Sequence, residues 1–133
     1  MLDTNVILDF ALRREPFFED AEQVLLLTEQ RENIEFVSSS AVTDIFYMLR
    51  RYYGDSFKAQ EVLSSLRKIV TILEVSDRNI KHALDLHWHD FEDAVQYATA
   101  ERIQADFIIT RNVRDFRQSK VVAFTPSEFL ARI

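Results

Sequence analysis

Asp106-Phe107-Ile108-Ile109-Thr110-Arg111-Asn112-Val113-Arg114-Asp115-Phe116 is the stretch on which the fold turns. Its first half is almost continuously apolar, as expected of a short strand covered on both faces. Its second half turns abruptly polar, as a loop leaving the strand does. Ile34-Glu35-Phe36-Val37, Thr71-Ile72-Leu73-Glu74-Val75 and Val121-Val122-Ala123-Phe124 are the other strand candidates. Helical stripes separate them: Phe18, Ala21, Val24, Leu25 and Thr28; Val42, Ile45, Phe46, Leu49 and Tyr53; Phe91, Ala94, Val95, Ala98 and Ile103. Ser38-Ser39-Ser40 offers cap hydroxyls to the second stripe, and Thr125-Pro126-Ser127-Glu128 reads as a capping box that opens a last helix. Alternating strands and helices imply an α/β fold, a three-layer α/β/α sandwich with a short-stranded, mainly parallel central sheet.

The composition narrows the function. A chain of 133 residues with no Pro/Gly-rich linker reads as a single domain, 1–133, large enough to bury a core. No apolar run approaches the ~18 residues of a membrane span, and the opening Met1-Leu2-Asp3 has no basic stretch, so neither a membrane anchor nor a signal peptide is expected. Cysteine is absent, which rules out disulfides and thiolate catalysis and fits a cytoplasmic location. The single glycine, Gly54, excludes the glycine-rich phosphate loops of Rossmann and Walker sites. A net charge of -6 argues against indiscriminate coating of nucleic acid. It does not oppose a nuclease whose acids are offset by cations. The positive charge clusters at Arg13-Arg14, at Arg50-Arg51 and around Arg111, Arg114, Arg117 and Lys120.

In an open parallel sheet, ligands bind beyond the carboxyl ends of the strands. Asp3, Asp44, Asp93 and the Thr110–Phe116 loop all fall at that edge. Carboxylates that converge repel one another unless a cation stands between them. A set of oxygen donors without cysteine calls for a hard ion, Mg²⁺ or Mn²⁺, and so for metal-assisted phosphodiester chemistry. Plainer roles compete. Asp3 could cap the first helix, and Asp90, Glu92 and Asp93 could complement the dipole of the helix they open. Asp44, with Tyr47 and Met48 three and four residues on, is expected to be buried and to need a partner. Asp9 is expected to be solvated or to lie behind the ligands. His87 and His89, two residues apart, do not share a helical face and are not expected to bind metal.

In order, these segments resemble the PIN-domain family, and within it the VapC-type toxins. The matching pieces are Asp3-Thr4-Asn5-Val6-Ile7-Leu8-Asp9, Ser38 to Asp44, Asp90 to Ala100, Thr110 to Phe116 and Thr125 to Phe129. The resemblance implies a Mg²⁺- or Mn²⁺-dependent endoribonuclease, with a cognate antitoxin and a homodimer as expected partners. Two departures stand out. The second acid, commonly Glu in the family, is here Asp44, one methylene shorter. The first strand is also brief, so the native start could lie upstream of Met1.

The mechanism this implies is hydrolysis of RNA by in-line attack of an activated water. Asp3, Asp93, Asn112 and Asp115 hold the ions, and Asp44 binds or orients the second one. Thr4, Asn5 and Thr110 orient a ligand or touch phosphate, and Arg111 and Arg114 hold the scissile phosphate. The alternative is a catalytically weak or inactive PIN-like module that acts through protein or RNA contacts. Its surface would be the aromatic helix Phe46 to Tyr53. A receiver domain is rejected because Asp3 lacks an adjacent acid and no lysine follows the last strand. An Asp-x-Asp phosphatase is disfavoured because Asp3-Thr4-Asn5 has no second acid.

Overall fold

A computed structural model of the protein describes residues 1–31 and 35–133. Four short strands form among these residues: β1 (Phe36–Ser38), β2 (Thr71–Leu73), β3 (Phe107–Ile109) and β4 (Val122–Phe124). Ile34, which the sequence reading put in the first of these, lies outside the described residues. β1 pairs in parallel with β2, and β3 with β4. The opening segment joins the two pairs. The Leu2 amide donates to Phe36 O at 2.7 Å, and Leu2 bridges Ile109 in parallel. The Ile109 amide donates to Met1 O, and the Asp3 amide to Ile109 O, each at 2.9 Å. The order across the sheet is thus β2, β1, residues 1–3, β3, β4. The expected first strand is present as a minimal central rung.

Among the described residues, seven helices flank this sheet: α1 (Thr4–Ala11), α2 (Phe18–Arg31), α3 (Ser39–Tyr53), α4 (Ser56–Leu66), α5 (Asp77–Leu86), α6 (Phe91–Arg102) and α7 (Pro126–Ala131). Successive strand residues face opposite sides, and two cores result. Leu2, Val37 and Ile109 pack with α1 to α4, and Phe129 of α7 joins them. Their neighbours Met1, Phe36 and Ile108 pack with Tyr97, Ala100 and Phe116 on the other side, where α5 and α6 lie. This is the three-layer α/β/α sandwich expected from the apolar run at Phe107.

The caps explain several boundaries. Thr125 and Glu128 form the capping box read in the sequence, with two bonds of 3.1 Å. Gly54 ends α3 in the left-handed region at φ 67°, where a side chain is strained. Ser38 stands at the N-cap of α3, but its hydroxyl makes no cap bond and instead meets Ser40 Oγ at 3.1 Å. Ser76 and Asn79 form a second capping box, which starts α5.

Candidate functional site

The chain order reverses beside the opening segment: β1 and β2 extend to one side, β3 and β4 to the other. A crevice opens at such a switch point, between the ends of residues 1–3 and of β3. Asp3 and Thr110 end those two rungs, so they meet there. Asp3 is buried, and both of its oxygens are committed. Oδ1 accepts from the Thr4 amide and from Gln96 Nε2, each at 2.8 Å. Oδ2 accepts from Thr110 Oγ1 at 2.7 Å and from Asn5 Nδ2 at 3.3 Å. Asp3 therefore caps α1 and stands at the strand end at once.

Asp93 approaches from the first turn of α6. Asp90 is the N-cap, its Oδ1 accepting from the Asp93 amide at 3.0 Å. The Asp93 carboxyl is only 9% exposed and is pushed up to about 7. Burial is the main cause, and the charges of Asp90, Asp3 and Asp115 add to it. Glu92 is also raised, first by Asp44 and then by burial, Asp90 and Asp3. Asp44, Glu92, Thr4 and Gln96 line one cleft of about 330 Å³. Asp3 at the cap of α1 and acids of α3, α6 and the turn after β3 thus feel one another's charge.

Several side chains sit differently from expectation. Asp44 is exposed rather than buried, because α3 turns Ala41, Ile45 and Leu49 to the core and leaves Asp44 and Tyr47 outside. Asn5 and Thr110 donate to Asp3, the orienting role among those expected of them, and Asn5 Oδ1 also accepts from the Arg111 amide at 3.3 Å. Arg111, expected to hold phosphate, points to α1. Its Nε lies 2.8 Å from Asp9 Oδ2, an ionic contact not aligned as a hydrogen bond, and its guanidinium stacks 4.1 Å over Phe17. Asp9 is fully buried rather than solvated. Burial raises its pKa, and Arg111 and Arg14 pull it down. Asn112, Arg114 and Asp115 are exposed on a 3-10 turn, Val113–Phe116, that the polar loop forms.

Sequence reasoning missed Gln96. It lies three residues beyond Asp93 on α6, a polar side chain within the buried run Ala94 to Ala100, and that position was the available signal. It also missed Glu92 as a member of the cluster, having read it as a dipole acid alone.

The donor set suits a hard divalent cation in kind. All donors are oxygens, and the raised Asp93 and Glu92 register crowded negative charge that a cation would relieve. Among the described residues no group of three acidic or histidine side chains stands ready-made around one point. Closure around an ion therefore needs rotation of the exposed Asp44, Glu92 or Asp115.

A sequence model of the PIN domain matches residues 1–114. The chain belongs to the PIN-domain family. No curated protein sequence matches it significantly. Among solved structures, this PIN domain is similar to a chain of a toxin–antitoxin complex from Klebsiella pneumoniae, with TM-score 0.72 and 23% identity over 94% of this chain and 95% of that one. It is also similar to a chain of VapBC2 from Rickettsia felis bound to a DNA fragment from their promoter. There the TM-score is 0.75 and the identity 16%, over 94% of this chain and 96% of that one. At these identities the likeness establishes the PIN fold. No helix among the described residues is long and apolar enough to cross a membrane.

Proposed function

We propose that this PIN domain is a Mg²⁺- or Mn²⁺-dependent endoribonuclease and the toxin component of a toxin–antitoxin module. The observation that carries the reading is the nearly buried Asp93, held with Asp3 at the switch point and raised to about 7 among acids. Asp3, Asp93 and Asp115 would hold the cation, with Asn112 beside them and Asp44 and Glu92 at the outer edge. A bound divalent cation supplies Lewis acidity to the phosphodiester and lowers the pKa of the attacking water.

The chain's own residues do the positioning. Gln96, Thr110, Asn5 and the Thr4 amide hold the Asp3 carboxylate in one orientation. Asp90 anchors the first turn of α6 and so fixes Asp93. Arg114, exposed beside Asp115, would hold a phosphate oxygen. The solved relatives come from toxin–antitoxin complexes, which supports an antitoxin as partner. Tyr47, Tyr52 and Phe57 are exposed on α3 and α4, aromatic side chains that such a partner or a second copy in a homodimer would cover. The absence of cysteine supports a cytoplasmic setting.

The test is cleavage of a mixed RNA pool with Mn²⁺, by wild type and Asp93→Asn in parallel. Wild type cuts, EDTA abolishes cutting, and the variant loses at least about a hundredfold in rate while keeping its fold. Cutting by the variant at the wild-type rate would sink the assignment. A second reading, a PIN module that binds without cutting, draws support from the lack of a ready-made acid triad among the described residues. Folded wild type that never cuts in Mn²⁺ would favour it.

A further inference from the structure

The turn between α5 and α6 and the 3-10 turn after β3 face each other across a second cleft of about 460 Å³. His87, Trp88 and His89 form one wall, and Arg114, Arg117 and Gln118 the other. Asp90 and Asp115 line it too, and both also bear electrostatically on Asp93. The cleft therefore adjoins the acid cluster directly. We propose that it is a subsite for the nucleotide next to the scissile phosphate of a single-stranded RNA. The inference rests on the nuclease reading and specifies its substrate.

The volume suits one small-molecule-sized group such as a nucleotide. The walls supply what a flipped-out base and its phosphate need: π surfaces, an amide for base edges and guanidinium groups. Trp88 is rigidly set, stacked on Tyr97 at 4.9 Å between ring centres and edge-on to Phe116 at 6.3 Å. His87 adopts a left-handed backbone at φ 55°, which turns the chain so that this wall is presented. Arg114 and Arg117 are exposed, and no ion pair among the described residues engages either. Placing two unpaired arginines here, in a chain of net charge -6, concentrates attraction for phosphate where strand and acids meet. Asp90 and Asp115 sit at the junction with the acid cluster, so a phosphate in the cleft belongs at the arginines. A duplex is unsuited, because its bases are stacked and paired inside the helix.

Trp88 is the chain's single tryptophan, so its emission reports on this cleft. The experiment titrates a short single-stranded RNA into Asp93→Asn protein in EDTA, where no cleavage intervenes. The expected result is saturable quenching of Trp88 by the single strand and none by the same RNA as a duplex. His89→Ala with Arg117→Ala should weaken binding about tenfold, and Arg117→Ala alone should lower the slope of log affinity against log salt by about one. Arg117→Lys should restore most of that loss. Binding that leaves Trp88 emission and the variants' affinities unchanged would overturn the proposal, as would no binding at all. Because the readout is binding without cleavage, an inactive wild type that still shows the quenching would remove the nuclease reading and leave the cleft as a binding site for single-stranded RNA.

Discussion

Asp93 lies among Asp90, Asp3 and Asp115, nearly out of water, and its carboxyl is raised to about 7. In the unfolded chain the same group titrates near its ordinary 3.8. Between those values the folded protein holds a proton that the unfolded chain has released. Its contribution to stability is therefore largest at low pH and falls as pH rises from about 4 to about 7. Asp9 and Glu92, raised in the same direction, add to the trend. In EDTA the melting temperature should be lower at pH 7.5 than at pH 5.5, and Asp93→Asn should flatten the difference. A melting temperature that rises over that range, equally in both proteins, would contradict this account of Asp93. The raised value was not legible in the sequence. The sequence offers Asp93 both as a ligand and as a first-turn acid, but its neighbours Asp3 and Asp115 arrive from distant parts of the chain.

At the scale of elements, α1 and the loop after β3 are tied by Asp9 and Arg111, with the Asn5 side chain and the Arg111 amide as a second link. The tether holds in place the start of the loop that carries Asn112 and Asp115. Removing Arg111 leaves the buried Asp9 carboxylate with only the longer 3.9 Å contact to Arg14. Arg111→Ala should cost roughly 3 kcal/mol of stability by denaturant titration, and Asp9→Asn with Arg111→Ala together should cost less than the sum of the single changes. Additive losses would mean that the two groups do not act on each other. Local pattern could not show this pair. Asp9 lies one helical turn beyond Asn5, and nothing in that spacing reveals a partner near residue 111. Asp44 failed for a related reason. Its apolar neighbours at i+3 and i+4 suggested burial, but α3 buries the Ala41, Ile45, Leu49 stripe, and Tyr47 shares the outside with Asp44.

For the whole molecule, most of the architecture was legible because each strand is an apolar run and each helix carries a stripe or a cap. Phe107 to Ile109 told the most, since its alternate residues enter two different cores. The capping box at Thr125 marked the start of the last helix to within a residue. Helices α4 and α5, with much of their surface exposed, were not delimited. The switch point could only be inferred, because the strand order depends on pairing between Leu2 and Ile109 across the length of the chain. Once that order is known, Asp3 and Thr110 fall at the crevice, and α6 brings Asp93 and Gln96 to them. The central claim is that this junction holds a divalent cation through Asp3 and Asp93. The most direct measurement is Mn²⁺ binding by electron paramagnetic resonance at pH 7.5, on wild type and Asp93→Asn. The account predicts saturable binding by wild type and an affinity at least about tenfold weaker in the variant. Equal affinities in the two proteins, or no binding by folded wild type, would contradict it.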